Sequence, residues 1–518
     1  MERHGSESYY VIGEGLLSES GGGREFTMAA ADAEAQMVPP FRFSRMGPSG
    51  ANRQLVDLNR KKIANAMTTG ADVESQIPSG FTYLGQFADH DLTFDKTNVT
   101  FGEHVSPAQL LQARSPSFDL DSLYGAGPTD PGSAAFYEAD GLHLKMGTTA
   151  AADGIAAKTG FDLPRGAGTT KAAKRAAIIP DPRNDENLAV AQTHLAFIRF
   201  HNRVVDTLPN SVPLAQRFAK ARKLVTNHYQ WMLRTDFLPR ICSPSVVNDV
   251  FAHGRRAFEV GATPTDVPTM PIEFSVAAYR LGHSMVREAY SWNKIFDFGS
   301  ATLDLLFTFS STSGDLGGGL RLPSTWIADF RRLYDFSEAG RADLVVPAAK
   351  SNKAMRIDTK LSNQLAHLPG QPAGETNLAF RNLTRARMVR LATGQQMTTF
   401  LKSKGVTLTK LTAAQIRDGN NGVTLDGLNA SQRAALLKDT PLWFYVLREA
   451  ELNRGKLKGV GARIVAETFH RAIEGSSTSI VRDSAWRPSF GPNNTTFRMV
   501  DLLLFASNGK KAVLAPLG

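Results

Sequence analysis

Apolar side chains recur at helical spacing through residues 81–95, which read Phe-Thr-Tyr-Leu-Gly-Gln-Phe-Ala-Asp-His-Asp-Leu-Thr-Phe-Asp. On a helix Gln86 and His90 stand at i and i+4 and share one face, beside an apolar stripe that contains Phe87. A core helix normally excludes an Asp-His-Asp triplet such as 89–91, because a buried charge is costly unless something pairs with it. The pattern therefore predicts either a buried helix whose charges have partners or an Asp-His surface pair at a helix end.

Helical periodicity continues through most of the chain. An amphipathic helix is predicted from Leu188 to Leu208, with Leu195, Ile198 and Val205 on one stripe. The other helical stretches begin near Leu55 or cover 271–292 and 441–474, whereas the polar stretch 401–435 predicts a surface excursion. The predicted fold is mainly α with little β structure.

Residues 1–45 lack any helical period and contain Gly21-Gly22-Gly23 and Pro39-Pro40. They predict a flexible N-terminal arm. A chain of 518 residues suggests about three domains at roughly 150 residues each. No linker or internal repeat divides the remainder, however, so we expect one large helical domain over residues 46–518.

The chain is basic, with 59 Lys and Arg against 49 Asp and Glu and a net charge of +10. The basic residues are scattered, and the densest cluster, Lys171 to Arg175, is short and predicts a solvated loop. We expect no nucleic-acid partner, although such a charge could attract anionic substrates or surfaces. Cys242 is the only cysteine, so an intramolecular disulfide is excluded.

The first 24 residues have no charged segment followed by an apolar one, and no run of 18 apolar residues occurs in the sequence. We expect neither Sec export nor a membrane span. A cytoplasmic location and export by a signal-independent route both stay open, and the oligomeric state is left open too.

Three further segments contain residue types that also occur in metal or phosphate sites. Asp119 and Asp121 alternate around an apolar residue in the segment 115–125, as in an extended loop that points both carboxylates the same way. Oxygen ligands at this density suit calcium, and a solvated turn is the alternative. Residues 314–319 are Gly-rich but lack the flanking strand and helix of a phosphate-binding loop. His194 and His201, seven apart, predict packing and polar contacts because no further ligand has suitable spacing.

Residues 85–91, Gly-Gln-Phe-Ala-Asp-His-Asp, resemble the distal helix of the animal-type haem peroxidases, the superfamily of myeloperoxidase, peroxinectin and the cyclooxygenases. Four further segments between about residues 80 and 506 resemble the family in the same order, most closely its bacterial members. The resemblance implies a helical haem peroxidase domain that binds haem b and uses hydrogen peroxide. It makes His90 the acid–base residue, Gln86 the residue that orients water or a halide, and Arg183 the distal arginine that stabilises charge as the O–O bond breaks.

On the other side of the haem, the segment 273–286 resembles the proximal helix of the family, which makes His283 the axial iron ligand. The small Gly282 would let a flat macrocycle approach. Residues 377–387 resemble the segment that supplies an asparagine to the proximal histidine and an arginine to a haem propionate. These roles fall to Asn382 and Arg385, with a hydrogen bond from His283 to Asn382.

The resemblance also assigns the acidic residues. Asp89 and Glu186 match the ester-forming pair that links haem covalently, and Asn187 stands where myeloperoxidase has a methionine that adds a sulfonium link. Without that link the haem should be a weaker oxidant, suited to bromide, iodide, thiocyanate and phenols rather than chloride. The implied calcium ligands are Asp91, Ser115, the carbonyl of Ser117, Asp119 and Asp121.

Three functions follow from these residues. The first is a haem peroxidase that oxidises organic donors or small anions. The second is a fatty-acid dioxygenase of the same superfamily, which would need a tyrosine three residues before the proximal histidine. Tyr279 lies four before it and Arg280 takes the required position, so the register favours a peroxidase. The third is a non-catalytic haem-binding adhesion protein, against which the retained set of polar residues speaks.

Overall fold

α-Helices form most of the structure, as the hydrophobic pattern predicts. The computed structural model describes residues 41–50, 56–97, 99–368, 371–372 and 374–518. The first ten helices in these ranges are α1 (Asp57–Met67), α2 (Gly80–Leu92), α3 (Asp121–Tyr124), α4 (Lys171–Arg175), α5 (Leu188–Thr207), α6 (Leu214–Met232), α7 (Leu238–Ile241), α8 (Pro244–His253), α9 (Ile272–Ser275) and α10 (Gly282–Met285). They are followed by α11 (Leu303–Thr308), α12 (Phe330–Leu333), α13 (Leu378–Met388), α14 (Gly394–Ser403), α15 (Ala413–Asp418), α16 (Ala430–Lys438), α17 (Leu442–Leu452), α18 (Gly459–Glu474), α19 (Met499–Ala506) and α20 (Lys511–Leu514).

Strands are short and pair in twos within the described ranges. The four two-stranded sheets are β1 (Phe43–Ser44) with β5 (Met270–Pro271), β2 (Glu74–Pro78) with β8 (Lys353–Met355), β3 (Gly147–Thr148) with β4 (Thr159–Asp162), and β6 (Ala289–Tyr290) with β7 (Ala301–Thr302). The β1–β5 pair is parallel and the others are antiparallel. β2 leads directly into α2, and the amide of Ser79 at their junction donates to the carbonyl of Asn352 (2.9 Å).

α2 lies at the centre of the fold, and Gly85 is its only residue that is not buried. Its Phe87 stacks on Phe197 of α5 with ring centroids 4.4 Å apart. Tyr229 of α6 packs edge-on against both rings, at 6.2 and 5.5 Å. Because burial of one large apolar side chain contributes about 1.5–3 kcal/mol, this aromatic cluster fixes α2 against its neighbours.

A π-helical turn, Leu233–Phe237, joins the end of α6 to the start of α7. Such turns are often found near functional sites because they redirect the side chains that follow. Here the turn brings the ring of Phe237 against Gly85, where an added methyl group would lie 3.1 Å from it. A larger residue at position 85 would therefore collide with Phe237 or displace it.

Only the last residues of the predicted N-terminal arm are described. Phe43 is buried in the core and belongs to β1, which pairs with β5. Residues 1–40, and with them most of the predicted arm, lie outside the described residues. No helix in the described part of the chain combines the length and apolar character needed to span a membrane.

Two local predictions are wrong. The stretch 271–292 is not one helix, because α9 stops at Ser275, Ala277 has a non-helical backbone, and a 3-10 turn (Ala278–Leu281) precedes α10. Residues 171–175 form α4 rather than a loop, with the hydroxyl of Thr170 capping its start. Arg175 from this helix donates to the carbonyls of Gly318 (2.8 Å) and Gly319 (2.6 Å), so the helix pins the Gly-rich loop.

Candidate active site

A cavity separates α2 from the segment that contains α10. The distal helix and the proximal segment contribute most of its lining, which consists of Phe81, Thr82, Gly85, Gln86, Asp89, Phe237, Tyr279, Arg280, Leu281, Gly282, His283 and Met285. The phenol of Tyr279 donates to the carbonyl of Gly85 (3.2 Å) and so links the two walls. Three of the predicted site residues, Gln86, Asp89 and His283, therefore line one cavity.

His90 is fully buried on α2, next to this cavity. Its Nδ1 lies 2.9 Å from Oδ1 of Asn184. Its Nε2 lies 3.5 Å from Oε1 of Glu186 and, among the described residues, has no hydrogen-bond partner. The ring is therefore fixed at one nitrogen and leaves the other available for proton transfer.

Gln86 is held at both ends of its carboxamide. Its Nε2 donates to Oε1 of Glu186, and its Oε1 accepts from Nδ2 of Asn187 (3.0 Å). Asn187 is itself fixed, because its Oδ1 accepts from the amide of Val190 (2.9 Å) as the N-cap of α5. Gln86 therefore presents a defined orientation to the cavity.

Arg183 does not line the cavity but lies behind α2. Its guanidinium donates twice to Asp181, from Nε (3.0 Å) and Nη2 (2.7 Å), and Nη2 also donates to the carbonyl of His90 (3.1 Å). Burial would raise the pKa of Asp181, but Arg183 and Arg114 outweigh it and hold this pKa well below its usual range. Arg183 thus ties the end of α2 to the turn before α5, and its predicted action on the O–O bond stays a prediction.

The two carboxylates assigned to haem linkage lie near His90. Burial raises the pKa of Asp89, opposed by its interactions with His90, Arg183 and Arg280. Burial also raises the pKa of Glu186, opposed by its contact with His90. One oxygen of Glu186, Oε2, is buried and lacks a hydrogen-bond partner among the described residues.

On the proximal side, Asn382 lies beside His283 as expected, but with its amide turned around. Nδ2, not Oδ1, lies 2.8 Å from Nδ1 of His283. Arg280 accounts for this orientation of the amide, because a guanidinium can only donate hydrogen bonds and its Nη1 donates to Oδ1 of Asn382. Arg280 also donates from Nε to the carbonyl of Ser275 (3.0 Å). Arg385 contacts Asp95 rather than lining the cavity.

The predicted calcium loop is brought to α2, but its carboxylates take separate partners. Asp91 accepts from the amide of Leu120 (3.2 Å), whereas Asp119 accepts from the amide and hydroxyl of Ser477 (2.9 and 2.7 Å). Asp121 lies 3.3 Å from Nη2 of Arg222. Leu120, between the two aspartates, has a left-handed backbone (φ 59°). Asp119 and Asp121 thus contact different partners, and the expectation that both carboxylates point the same way stays a prediction.

Charge nevertheless accumulates at this loop. Burial, then Asp121 and Asp119, raise the pKa of Asp91 well above its usual range. Ser115 and Ser117 are also buried, and the hydroxyl of Ser117 lies 3.5 Å from the carbonyl of Gly475. Across the described ranges, no three side chains of His, Cys, Asp or Glu form a ready metal-holding group.

Four residues that contribute to the site were missed or undervalued by sequence reasoning: Asn184, Asn187, His194 and Arg280. His194 accepts from Nδ2 of Asn184 (3.0 Å), so it connects to His90 through that side chain. His201 contacts the hydroxyl of Tyr124 (3.0 Å) and the carbonyl of Leu142 (2.8 Å), which confirms packing and polar contacts rather than a metal pair. The sequence signal for the two asparagines was only their position beside Arg183 and Glu186.

The residues present fit a planar metal macrocycle. His90 and Glu186 keep buried polar atoms without partners on the distal side, as described above. A methyl group added to Gly282 on the opposite wall would meet nothing within 4 Å. The cavity thus offers an open face beside an imidazole, which is what an axially ligated haem requires.

The helical domain thus places a cavity between two segments that each carry a histidine, α2 and α10. The profile of the animal haem peroxidase family matches residues 76–475, and the chain belongs to this family. The predicted family and the mainly α fold are therefore confirmed.

Solved structures with a similar fold cover both activities considered above. Peroxidase A from Dictyostelium discoideum superposes with a TM-score of 0.57 at 16% identity, covering 89% of this chain and 92% of that one. Fatty acid alpha-dioxygenase from Arabidopsis thaliana superposes with a TM-score of 0.55 at 13% identity, covering 91% and 76%. At these identities the likeness concerns the fold alone.

Curated relatives match over shorter segments. A peroxidase-like protein of Margaritifera margaritifera is 32% identical over 114 residues, which are 21% of this chain and 14% of that protein. Thyroid peroxidase of Mus musculus is 27% identical over 193 residues, or 35% of this chain and 20% of that protein. These alignments thus cover no more than a fifth of the relatives' own length.

Proposed function

We propose that the chain binds haem b in the cavity, reduces hydrogen peroxide and oxidises an organic donor or a small anion. The observation that carries this proposal is the composition of the cavity walls. Gln86, one turn before the buried His90, and Asp89, directly before it, line one wall, and His283 lines the other. Bound haem would supply a redox-active iron at which peroxide is reduced.

His283 would hold the iron through Nε2, which requires the ring proton to sit on Nδ1. In the amide orientation described above, Nδ2 of Asn382 donates to Nδ1 instead. Iron binding therefore requires the Asn382 carboxamide to turn, so that Oδ1 accepts from Nδ1–H of His283 and makes the imidazole a better donor. Arg280 would have to release Oδ1 for this to happen.

His90 would act as the acid–base residue. Its Nε2 takes a proton from peroxide and returns it to the leaving oxygen, while Nδ1 stays bonded to Asn184. Gln86, fixed by Glu186 and Asn187, orients the peroxide or an anion beside it. Arg183 adds positive charge to this side of α2 through the carbonyl of His90.

The covalent state of the haem follows from the two carboxylates. Asp89 lines the cavity and Glu186 lies beside His90, so we expect ester links to one or both after exposure to peroxide. Asn187 has no thioether and is engaged with Gln86. The bound haem should then oxidise bromide, iodide, thiocyanate and phenols, with little chloride activity at neutral pH. Extraction with acidified acetone and mass spectrometry of haem peptides test the esters, and haem that extracts freely after peroxide treatment contradicts them.

Calcium is part of the proposal. Asp91, Asp119 and Asp121 interact electrostatically, and a divalent cation between them would offset the mutual repulsion of their charges. Ser115 and the carbonyl of Ser117 would complete the ligand set. Asp119 would have to turn away from Ser477, so the metal and the observed hydrogen bonds are alternatives.

The absorption spectrum of the purified chain, before and after addition of peroxide, tests the core of the proposal. We expect a Soret band that changes on mixing with peroxide. His90→Gln should keep the band and react on the order of 10²-fold more slowly, because the acid–base group is lost. A chain that binds haem but leaves peroxide unreacted would point to the non-catalytic alternative.

Fatty-acid dioxygenation is the second candidate, and one observation supports it. The phenol of Tyr279 lines the cavity with the proximal histidine, although its hydrogen is donated to Gly85. Oxygen uptake on addition of an unsaturated fatty acid distinguishes the two activities. Uptake that Tyr279→Phe abolishes would favour the dioxygenase over the peroxidase.

A further inference from the structure

The side chain of Asn184 bridges two buried histidines. Its Oδ1 lies 2.9 Å from Nδ1 of His90 and its Nδ2 lies 3.0 Å from Nδ1 of His194. All three residues are at most 1% exposed. Asn184 belongs to a 3-10 turn, Pro182–Asp185, that Asp181 caps, whereas His194 lies on α5. A residue of this turn thus contacts one nitrogen of His90 and connects it to a histidine of α5.

The chemistry of a carboxamide constrains both imidazoles. Its oxygen only accepts and its nitrogen only donates, so with the oxygen toward His90 the proton of that ring must sit on Nδ1. The nitrogen then needs an acceptor, and Nδ1 of His194 is one only when it carries no proton. The two rings must therefore adopt complementary tautomers.

We propose that Asn184 and His194 are positioning residues, which hold the proton of His90 on Nδ1 and keep Nε2 of His90 free to accept a proton. The role in peroxide reduction rests on the function proposed above. His194 acts only through Asn184, because it fixes which end of the carboxamide faces His90. With Nδ1 bonded to Asn184, His90 presents Nε2 to the proton of the peroxide, and the imidazolium that forms keeps its acceptor at Nδ1.

The surroundings of His194 support this role. Burial lowers its pKa to about 3, so the ring stays neutral and can accept from Asn184. Its ring packs edge-on against Phe87, with centroids 5.8 Å apart, which fixes the direction of Nδ1. The hydrogen bond to Asn184 is thus made by a ring that cannot easily rotate or ionise.

No other group in the described part of the chain competes for Nδ1 of His90. Glu186 lies on the side of Nε2, at 3.5 Å. Arg183 contacts the carbonyl of His90 and pairs with Asp181. Among the described residues, Asn184 alone forms a hydrogen bond with Nδ1 of His90.

A double-mutant cycle in the haem-loaded chain tests the relay, by which we mean the hydrogen bonds that lead from His194 through Asn184 to His90. Asn184→Ala and His194→Phe should each slow the reaction with peroxide by about 10- to 100-fold, the usual effect of losing an orienting partner. The double variant should be no slower than Asn184→Ala alone, because His194 has no second route to His90. His194→Gln, which keeps an acceptor, should recover part of the rate. Losses that multiply in the double variant, or unchanged single variants, would overturn the proposal.

His201→Phe is the matched control. This histidine is also buried on α5, but it bonds to Tyr124 and Leu142 instead of Asn184. Its replacement should leave the peroxide rate unchanged at equal haem content. A rate loss in His201→Phe as large as that in His194→Phe would mean that disturbance of α5, not the relay, causes the effect.

A second readout does not depend on catalysis. NMR of the full chain labelled with 15N-histidine, in the diamagnetic ferrous carbonyl form, reports which nitrogen of His90 carries the proton, and the His90→Gln spectrum assigns the signal. We expect the proton on Nδ1 in the wild type and its exchange or transfer to Nε2 in Asn184→Ala. A wild-type proton on Nε2 would refute the relay whatever the peroxide rate. A proton on Nδ1 in a chain inert to peroxide would refute the proposed function and leave the hydrogen-bond relay standing.

Discussion

Nδ2 of Asn187 donates to Oε1 of Gln86 over 3.0 Å, and Oδ1 of the same asparagine accepts from the amide of Val190 over 2.9 Å. One side chain therefore starts α5 and orients a residue of the cavity wall. The two tasks use opposite ends of the carboxamide, so substitutions can separate them.

Asn187→Ala removes both the N-cap of α5 and the donor to Gln86, whereas Asn187→Ser keeps a capping oxygen but has no donor toward Gln86. We expect Asn187→Ala to lower the free energy of unfolding by about 1 kcal/mol, a typical value for a lost N-cap, and Asn187→Ser to retain most of it. Both variants should raise KM for bromide or thiocyanate, because Gln86 is no longer held. Denaturant unfolding and steady-state kinetics measure the two effects. An unchanged KM in Asn187→Ser would show that Gln86 needs no anchor.

His283→Ala should abolish haem retention, because His283 is the only histidine among the described residues that line the cavity. The Soret absorbance per protein, measured after gel filtration, reports the loss. His201→Ala is the control on a second buried histidine, and it should retain haem. Equal loss in the two variants would contradict the assignment of His283 as axial ligand.

Removal of calcium should destabilise the wild type. A chelator is expected to lower Tm, since a cation that binds only the folded chain stabilises it. Asp91→Ala should lower Tm without the chelator and respond little to it. Metal analysis gives the independent check, and active wild-type protein without calcium would mean that Ser477 and Arg222 hold Asp119 and Asp121 in place of a metal.

Glu449 makes stability depend on pH. It is buried, and its carboxylate accepts from the amides of Val460 (3.3 Å) and Gly461 (3.1 Å) at the start of α18. Burial raises its pKa to about 8, against about 4.3 for an unfolded glutamate. Between these pH values Glu449 keeps a proton in the folded state that it has lost in the unfolded state. The stabilisation of the folded state by protonated Glu449 therefore falls as pH rises, and it is gone above pH 8 or so.

Glu449→Gln should remove that dependence, since the amide does not ionise. Relative to the wild type, the variant should gain stability as pH rises from about 5 to about 9. Urea unfolding of both chains at matched pH values measures the difference. A difference that is constant with pH would mean that Glu449 stays ionised in the folded chain.

Site residues that belong to one short sequence motif were predicted from the sequence, whereas their hydrogen-bond partners elsewhere in the chain were not. The helix predicted from residues 81–95 is α2 (Gly80–Leu92), because its apolar period and its Gln86–His90 spacing lie within 13 residues. The contact of Gln86 with Asn187 joins residues 101 apart, and that of Arg280 with Asn382 joins residues 102 apart. No local period encodes such pairs.

The error over residues 271–292 has the same origin. The carboxylate of Glu273 accepts from the amides of Met46 (2.8 Å) and Gly47 (3.0 Å), which are more than 200 residues away in sequence. The side chain of Arg280 donates to the carbonyl of Ser275. These side-chain hydrogen bonds interrupt the helix that the apolar spacing favours, because intrinsic helix propensity is weak compared with such contacts.

The hydrogen bond from Tyr279 to the carbonyl of Gly85 acts as a spacer between two independently built walls. The phenol ring stacks on Phe274 with centroids 4.5 Å apart, and Phe237 stands against Gly85 on the same side. Packing of these side chains thus fixes the spacing between the distal helix and the segment that carries His283. A guest thicker than this spacing must first break the hydrogen bond of Tyr279. We therefore expect the cavity to favour a flat occupant over a thicker one.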